Sequence, residues 1–76
     1  MVNAEQIKAW IQAGLPNAEI TLDGDGHHFE ATIICPDFAG KSRLQRHRMV
    51  YAALGSKMGN EVHALSMQTL APGEKL

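Results

Sequence analysis

Glycine and proline cut this chain into five short segments, and that punctuation constrains the fold more than any other feature. Breakers stand at Gly14 and Pro16, at Gly24-Asp25-Gly26, from Pro36 to Gly40, at Gly59-Asn60 and at Pro72-Gly73. Proline removes a backbone donor and glycine loosens the backbone, so neither belongs inside a helix or a central strand. The spacing of apolar residues between the breakers then assigns each segment.

Asn3 with Gln6 forms a capping-box pattern. Ile7, Trp10 and Ile11 follow at helical spacing, and Gly14 is expected to close that helix. Glu19 to Asp23 alternates, with Ile20 and Leu22 on one face of a short strand. Gly24-Asp25-Gly26 is a tight-turn signal. His28 to Cys35 reads as the return strand. Phe29, Ala31 and Ile33 share a face, and the added Ile34 and Cys35 suit a central position. Phe38 anchors the Pro36–Gly40 loop.

Ser42 with Gln45 repeats the capping box. A helix from about Lys41 to Lys57 follows, with Leu44, His47, Tyr51, Leu54 and Met58 as its apolar stripe. Arg46, Arg48 and Lys57 fall outside that stripe, toward water. Glu61 to Leu70 reads as a third strand, and 71–76 as a loose tail. The order α-β-β-α-β, with a right-handed crossover after the hairpin, predicts an α+β fold. A three-stranded mixed sheet should carry strand two in its middle and both helices on one face. Residues 1–76 make a single domain.

A chain of 76 residues buries only roughly 60–65% of its unfolded surface, so its core is marginal. Domains of this size often gain a disulfide, a metal or a partner. Cys35 is the lone cysteine, which forbids an internal disulfide and fits a reducing, cytoplasmic compartment. No apolar run approaches the ~20 residues of a membrane span, and no cationic-then-apolar leader opens the chain. No membrane association is expected.

The net charge of −1 gives no global pull toward nucleic acid, but the charges are segregated. Lys41, Arg43, Arg46, Arg48 and Lys57 are five of the seven cations, and no acid lies between Gly40 and Asn60. Glu19, Asp23, Asp25, Glu30 and Asp37 precede them. The molecule should therefore be dipolar. The basic helix face reads as a solvated face, a docking surface for an acidic protein, or a site of weak, salt-sensitive DNA binding.

Catalysis finds little support. The chain has no G-x-S-x-G, no P-loop and no G-x-G-x-x-G, and Cys35 at the end of an apolar strand looks like a packing residue. A non-enzymatic role is expected. A structural zinc site would need four Cys or His ligands at short spacings, and there is no C-x-x-C. His27 and His28 are adjacent, so on a strand they point to opposite faces. One of them, beside strand two, could approach His63 at the start of strand three. Two imidazoles would then serve a metal or iron–sulfur cluster whose thiolates come from a partner. The same histidines also read as ordinary exposed loop residues. His47, on the apolar stripe, reads as a packed histidine bonded to backbone. Met49, Met58 and Met67 read as gap-fillers.

The element order is that of KH-type nucleic-acid-binding folds, yet no G-X-X-G loop is present. Gly55-Ser56-Lys57-Met58-Gly59 has the wrong spacing. Trp10, Phe29, Phe38 and Tyr51 all fall on expected apolar positions and make no stacking set.

Three blocks are similar to the BolA family, in its short IbaG-like branch. They are Gly24-Asp25-Gly26-His27-His28-Phe29, the run from Phe38 to Leu54 with its Phe-x-Gly and Arg-His-x-x-Val-Tyr patterns, and Val62-His63-Ala64-Leu65-Ser66-Met67. The resemblance implies a class II KH-like fold without G-X-X-G. It implies partnership with a monothiol glutaredoxin and glutathione, the pair sharing a [2Fe–2S] cluster in iron–sulfur trafficking or iron/redox regulation. It puts one cluster ligand on His63 and the other in the hairpin turn, on His27 or His28. The family also includes proposed DNA-binding stress regulators, for which Lys41, Arg43, Arg46, Arg48 and Lys57 would be the surface. No cofactor is expected for the isolated chain, which should be a monomer or weak homodimer.

Overall fold

Asn3 and Ser42 start the two helices as their capping boxes predict. The computed structural model describes residues 2–75. It contains α1 (Ala4–Gly14), β1 (Glu19–Gly24), β2 (Phe29–Ile34), α2 (Arg43–Leu54) and β3 (Leu65–Leu70), with single 3-10 turns at Pro36–Phe38 and Gly55–Lys57. The Asn3 and Ser42 side chains each accept the amide N–H three residues on, and Gln6 and Gln45 accept the cap residue's own N–H in return. Both boxes satisfy donors that the first helical turn leaves unpaired.

The sheet order is β1-β2-β3, with β1 antiparallel and β3 parallel to the central β2. This is the expected α+β mixed sheet. Alternation does the sorting. Ile20, Phe29, Ala31 and Ile33 are buried, whereas Thr21, Glu30 and Gln68 are exposed on the opposite side. α1 packs on β1 and on α2, and Ile7, Ile11, Val50 and Leu54 close the core from above. Phe38 is fully buried, as its anchoring role requires. Cys35 is also fully buried, and burial pushes its thiol pKa up. Among the described residues, no helix is long and apolar enough to cross a membrane.

Gly14 is the last residue of α1, as expected, and a Cβ built there would stand 2.5 Å from the Ala53 Cβ, so its smallness lets α1 and α2 touch. Four expectations are corrected. α2 stops at Leu54 rather than Lys57, because Gly55 adopts φ 58°. β3 begins at Leu65, not Glu61, since residues 57–62 form a knot of turns. There the Lys57 carbonyl accepts the amides of Asn60, Glu61 and Val62.

The buried face of α2 is rotated about a quarter-turn from the expected stripe. Val50 and Leu54 are buried and Arg46, His47 and Ala53 half-buried, while Leu44 and Tyr51 are exposed. Finally, residues 71–74 are fastened down rather than loose. The Glu74 carboxylate accepts the Ala71 N–H at 2.8 Å and pairs with Arg46 at 2.6 and 2.9 Å. Residues 71–74 are therefore anchored, and residue 76 lies outside the described residues.

Candidate functional site

The hairpin between β1 and β2 carries His27 and His28, and one carboxylate shapes it. Asp25 Oδ1 accepts the backbone N–H of both His27 and His28, each at 2.9 Å, while the Asp25 N–H donates to the His28 carbonyl. These bonds stabilise the ionised form, so the Asp25 pKa lies below the usual carboxylate value, with the His28 amide the larger cause and the His27 amide next. Gly26 supplies the positive φ, at 98°. Gly24 has no room for a side chain, because a Cβ there would lie 2.5 Å from the His28 carbonyl oxygen and from the Phe29 ring.

His63 is presented from the other side of the same sheet end. The knot at residues 57–62 buries Val62, and the Gly59 N–H donates to the Val62 carbonyl at 2.7 Å. That fixes the backbone immediately before His63. The parallel register pairs Phe29 with Leu65, and the Phe29 N–H donates to the Ala64 carbonyl at 2.9 Å. The hairpin before β2 and the segment before β3 therefore emerge at the same end of the sheet.

The two hairpin histidines line different clefts. His27 lines one open cleft with His63, Gln6, Trp10, Asn60 and Glu61, about 540 Å³ in volume, on the α1 side of the sheet. His28 lies on the opposite side among Asp23, Asp25 and Glu30, with Nε2 3.4 Å from the Ser66 hydroxyl. The pair brought to one cleft is His27 with His63.

Among the described residues, two imidazoles are the side-chain nitrogen ligands this cleft offers. Among the described residues, no group of three or more His, Cys, Asp or Glu side chains is arranged to hold a metal ion. Cys35 is a free, buried thiol. Any metal or cluster bound there needs further ligands from outside, and neutral imidazole is the donor the chain would contribute. His47 is half-buried, and no ring hydrogen bond accompanies it among the described residues. Burial first, and Arg43 second, lower its pKa below the usual imidazole value. It stands apart from the cleft.

The basic residues do not act as one set. Arg46, expected to face water, is turned inward: it donates from Nε to the Lys41 carbonyl and from Nη1 to the Thr69 carbonyl, pairs with Glu74, and lies 5.9 Å from the Phe38 ring centroid. Lys57 holds its ammonium 5.0 Å above the Trp10 ring. Lys41, Arg43 and Arg48 remain exposed.

Sequence reasoning missed Asp25, Trp10, Asn60 and Glu61 at the site. The Asp-Gly-His-His order held a usable signal for Asp25, since aspartate readily bonds amides two and three residues on in a turn. Nothing local marks the other three, which reach the cleft only through the tertiary fold.

The family model described as BolA-like protein matches residues 8–74. The chain superposes on the structure of a bolA protein homologue from Coxiella burnetii with TM-score 0.87 and 51% identity, covering 95% of this chain and 94% of that one. It is 35% identical over 69 residues to the acid stress protein IbaG of Escherichia coli, covering 84% of this chain and 82% of that protein. Over 51 residues it is 43% identical to human BolA-like protein 1, spanning 67% of this chain but only 37% of the human protein's length.

Proposed function

The chain belongs to the BolA family, and from that premise we propose that it is a non-enzymatic adaptor that pairs with a monothiol glutaredoxin and glutathione around a shared [2Fe–2S] cluster. In this reading His63 and His27 supply imidazole nitrogens to the cluster, and the partner and glutathione supply the sulfur ligands. The cluster, when bound, would provide the electron-transfer or iron–sulfur-donating chemistry. The chain's own part is to orient its two rings. The Asp25 turn fixes the backbone beneath His27, the knot before Val62 fixes that beneath His63, and Trp10 walls the cleft. The observation that carries the reading is that two histidines line one open cleft while the chain's single thiol is fully buried.

The test is to mix the chain with a monothiol glutaredoxin, glutathione and cluster, and to follow visible absorption and circular dichroism. His63→Ala and His27→Ala should each weaken or reshape the spectrum, and His28→Ala should leave it unaltered. A spectrum indifferent to both His27→Ala and His63→Ala overturns the reading.

A second reading, a DNA-binding regulator using α2, draws on the exposed Lys41, Arg43 and Arg48. With Arg46 and Lys57 engaged inside the fold, only three of the five cations are left for phosphates. Such binding would show a correspondingly shallow dependence on salt.

A further inference from the structure

Among the described residues, the two large apolar side chains that stand exposed lie on one face of one helix. Leu44 is 60% exposed and Tyr51 40%. They stand seven positions apart, which on α2 is almost two turns and ~10 Å along the axis, with Arg48 between them on the same stripe. Single exposed apolar residues are ordinary on a protein surface, but this pair is aligned rather than scattered. Arg48, Lys41 and Arg43 are exposed, and no acid occurs between Gly40 and Asn60 to neutralise them.

We propose that the Leu44–Arg48–Tyr51 stripe docks a partner protein through an acidic amphipathic segment. One carboxylate pairs with Arg48, and apolar side chains on either side of it seat against Leu44 and Tyr51. None of these residues lines the histidine cleft, so the proposal stands whatever the cleft binds.

Duplex DNA suits this surface poorly. Two cations that the sequence assigns to it are withdrawn, Arg46 to Glu74 and to the Thr69 carbonyl, and Lys57 to the Trp10 ring. The stripe then presents two apolar side chains around a single guanidinium, where phosphate contacts call for a row of cations. A second copy of the chain suits it no better. Antiparallel packing of α2 on its symmetry mate would pair Leu44 with Tyr51 but would bring the two Arg48 guanidiniums together at the dyad. A partner carboxylate at that central position turns the same clash into an attraction, flanked by apolar contact that excludes water.

The experiment is selection from a displayed library of random peptides against the full chain, with amide chemical-shift mapping of the winners. Enriched peptides should combine Asp or Glu with apolar residues and should perturb Leu44, Arg48 and Tyr51. Arg48→Glu should weaken them roughly tenfold or more, and so should the double variant Leu44→Ser with Tyr51→Ser. Because these side chains are exposed, the variants keep the native amide spectrum. Peptides with Glu exchanged for Lys should regain binding to Arg48→Glu. The proposal is overturned if no sequence is enriched, if neutral or basic sequences win, or if the winners map elsewhere.

Discussion

Arg46 shows how far one side chain can depart from its sequence context. It sits in the most basic stretch of the chain, yet it makes four hydrogen bonds within the fold and ties α2 to β3 and to the C-terminal turn. Its partner Glu74 responds. The guanidinium, helped by the Ala71 N–H, holds the Glu74 carboxyl down at about 2, against an ordinary value of 4.5. An acid with a depressed folded pKa contributes stability that is complete above the unfolded value and is lost as pH falls through the folded one. The clip should therefore hold near neutrality and weaken between pH 4.5 and about 2. Acid titration followed by circular dichroism should show stability falling through that window. Glu74→Gln should flatten that stretch of the curve and lower Tm by a few degrees at pH 7, a modest effect because the pair is partly open to solvent.

At the scale of elements, the contact between α1 and α2 depends on two small residues. A methyl group at Gly14 would stand 2.5 Å from the Ala53 Cβ and 2.9 Å from its Cα, so the helices would have to move apart. Gly14→Ala should cost about 1–3 kcal/mol in urea denaturation, even though alanine is the better helix former by about 1 kcal/mol. Ala53→Gly in the same chain should recover part of the loss, which a merely local helix effect would not allow. Gly14 also marks a limit of legibility. A glycine near a helix end looks the same in sequence whether it reverses the backbone or admits a neighbour. The α2 stripe was misread for a related reason. Leu44, Met49, Val50, Tyr51 and Leu54 surround the helix, so periodicity alone does not choose the inward face. Packing against α1 and the sheet chooses Val50 and Leu54. The capping boxes, the hairpin and the central place of β2 were legible because each is written in neighbouring residues or in strict alternation.

For the molecule as a whole, the element order and the sheet were readable from the breakers, and the site was readable in part. His63 and the hairpin histidines stood out by residue type. That His27 rather than His28 shares a cleft with His63 depends on tertiary packing between residues far apart in sequence. The same long-range packing buries Cys35 within the core that includes Phe38 and Val50. Its burial and raised pKa make it unreactive while the fold is intact. Alkylation by iodoacetamide across a urea series should therefore begin only where far-ultraviolet circular dichroism is lost. Labelling well before that point would show that a smaller opening reaches the thiol. Within the proposed assembly, that burial divides vulnerability unequally. A disulfide reagent would find every accessible thiol on the partner's side, and this chain's own thiol would come through the insult unaltered, ready to be paired again once its partner is reduced.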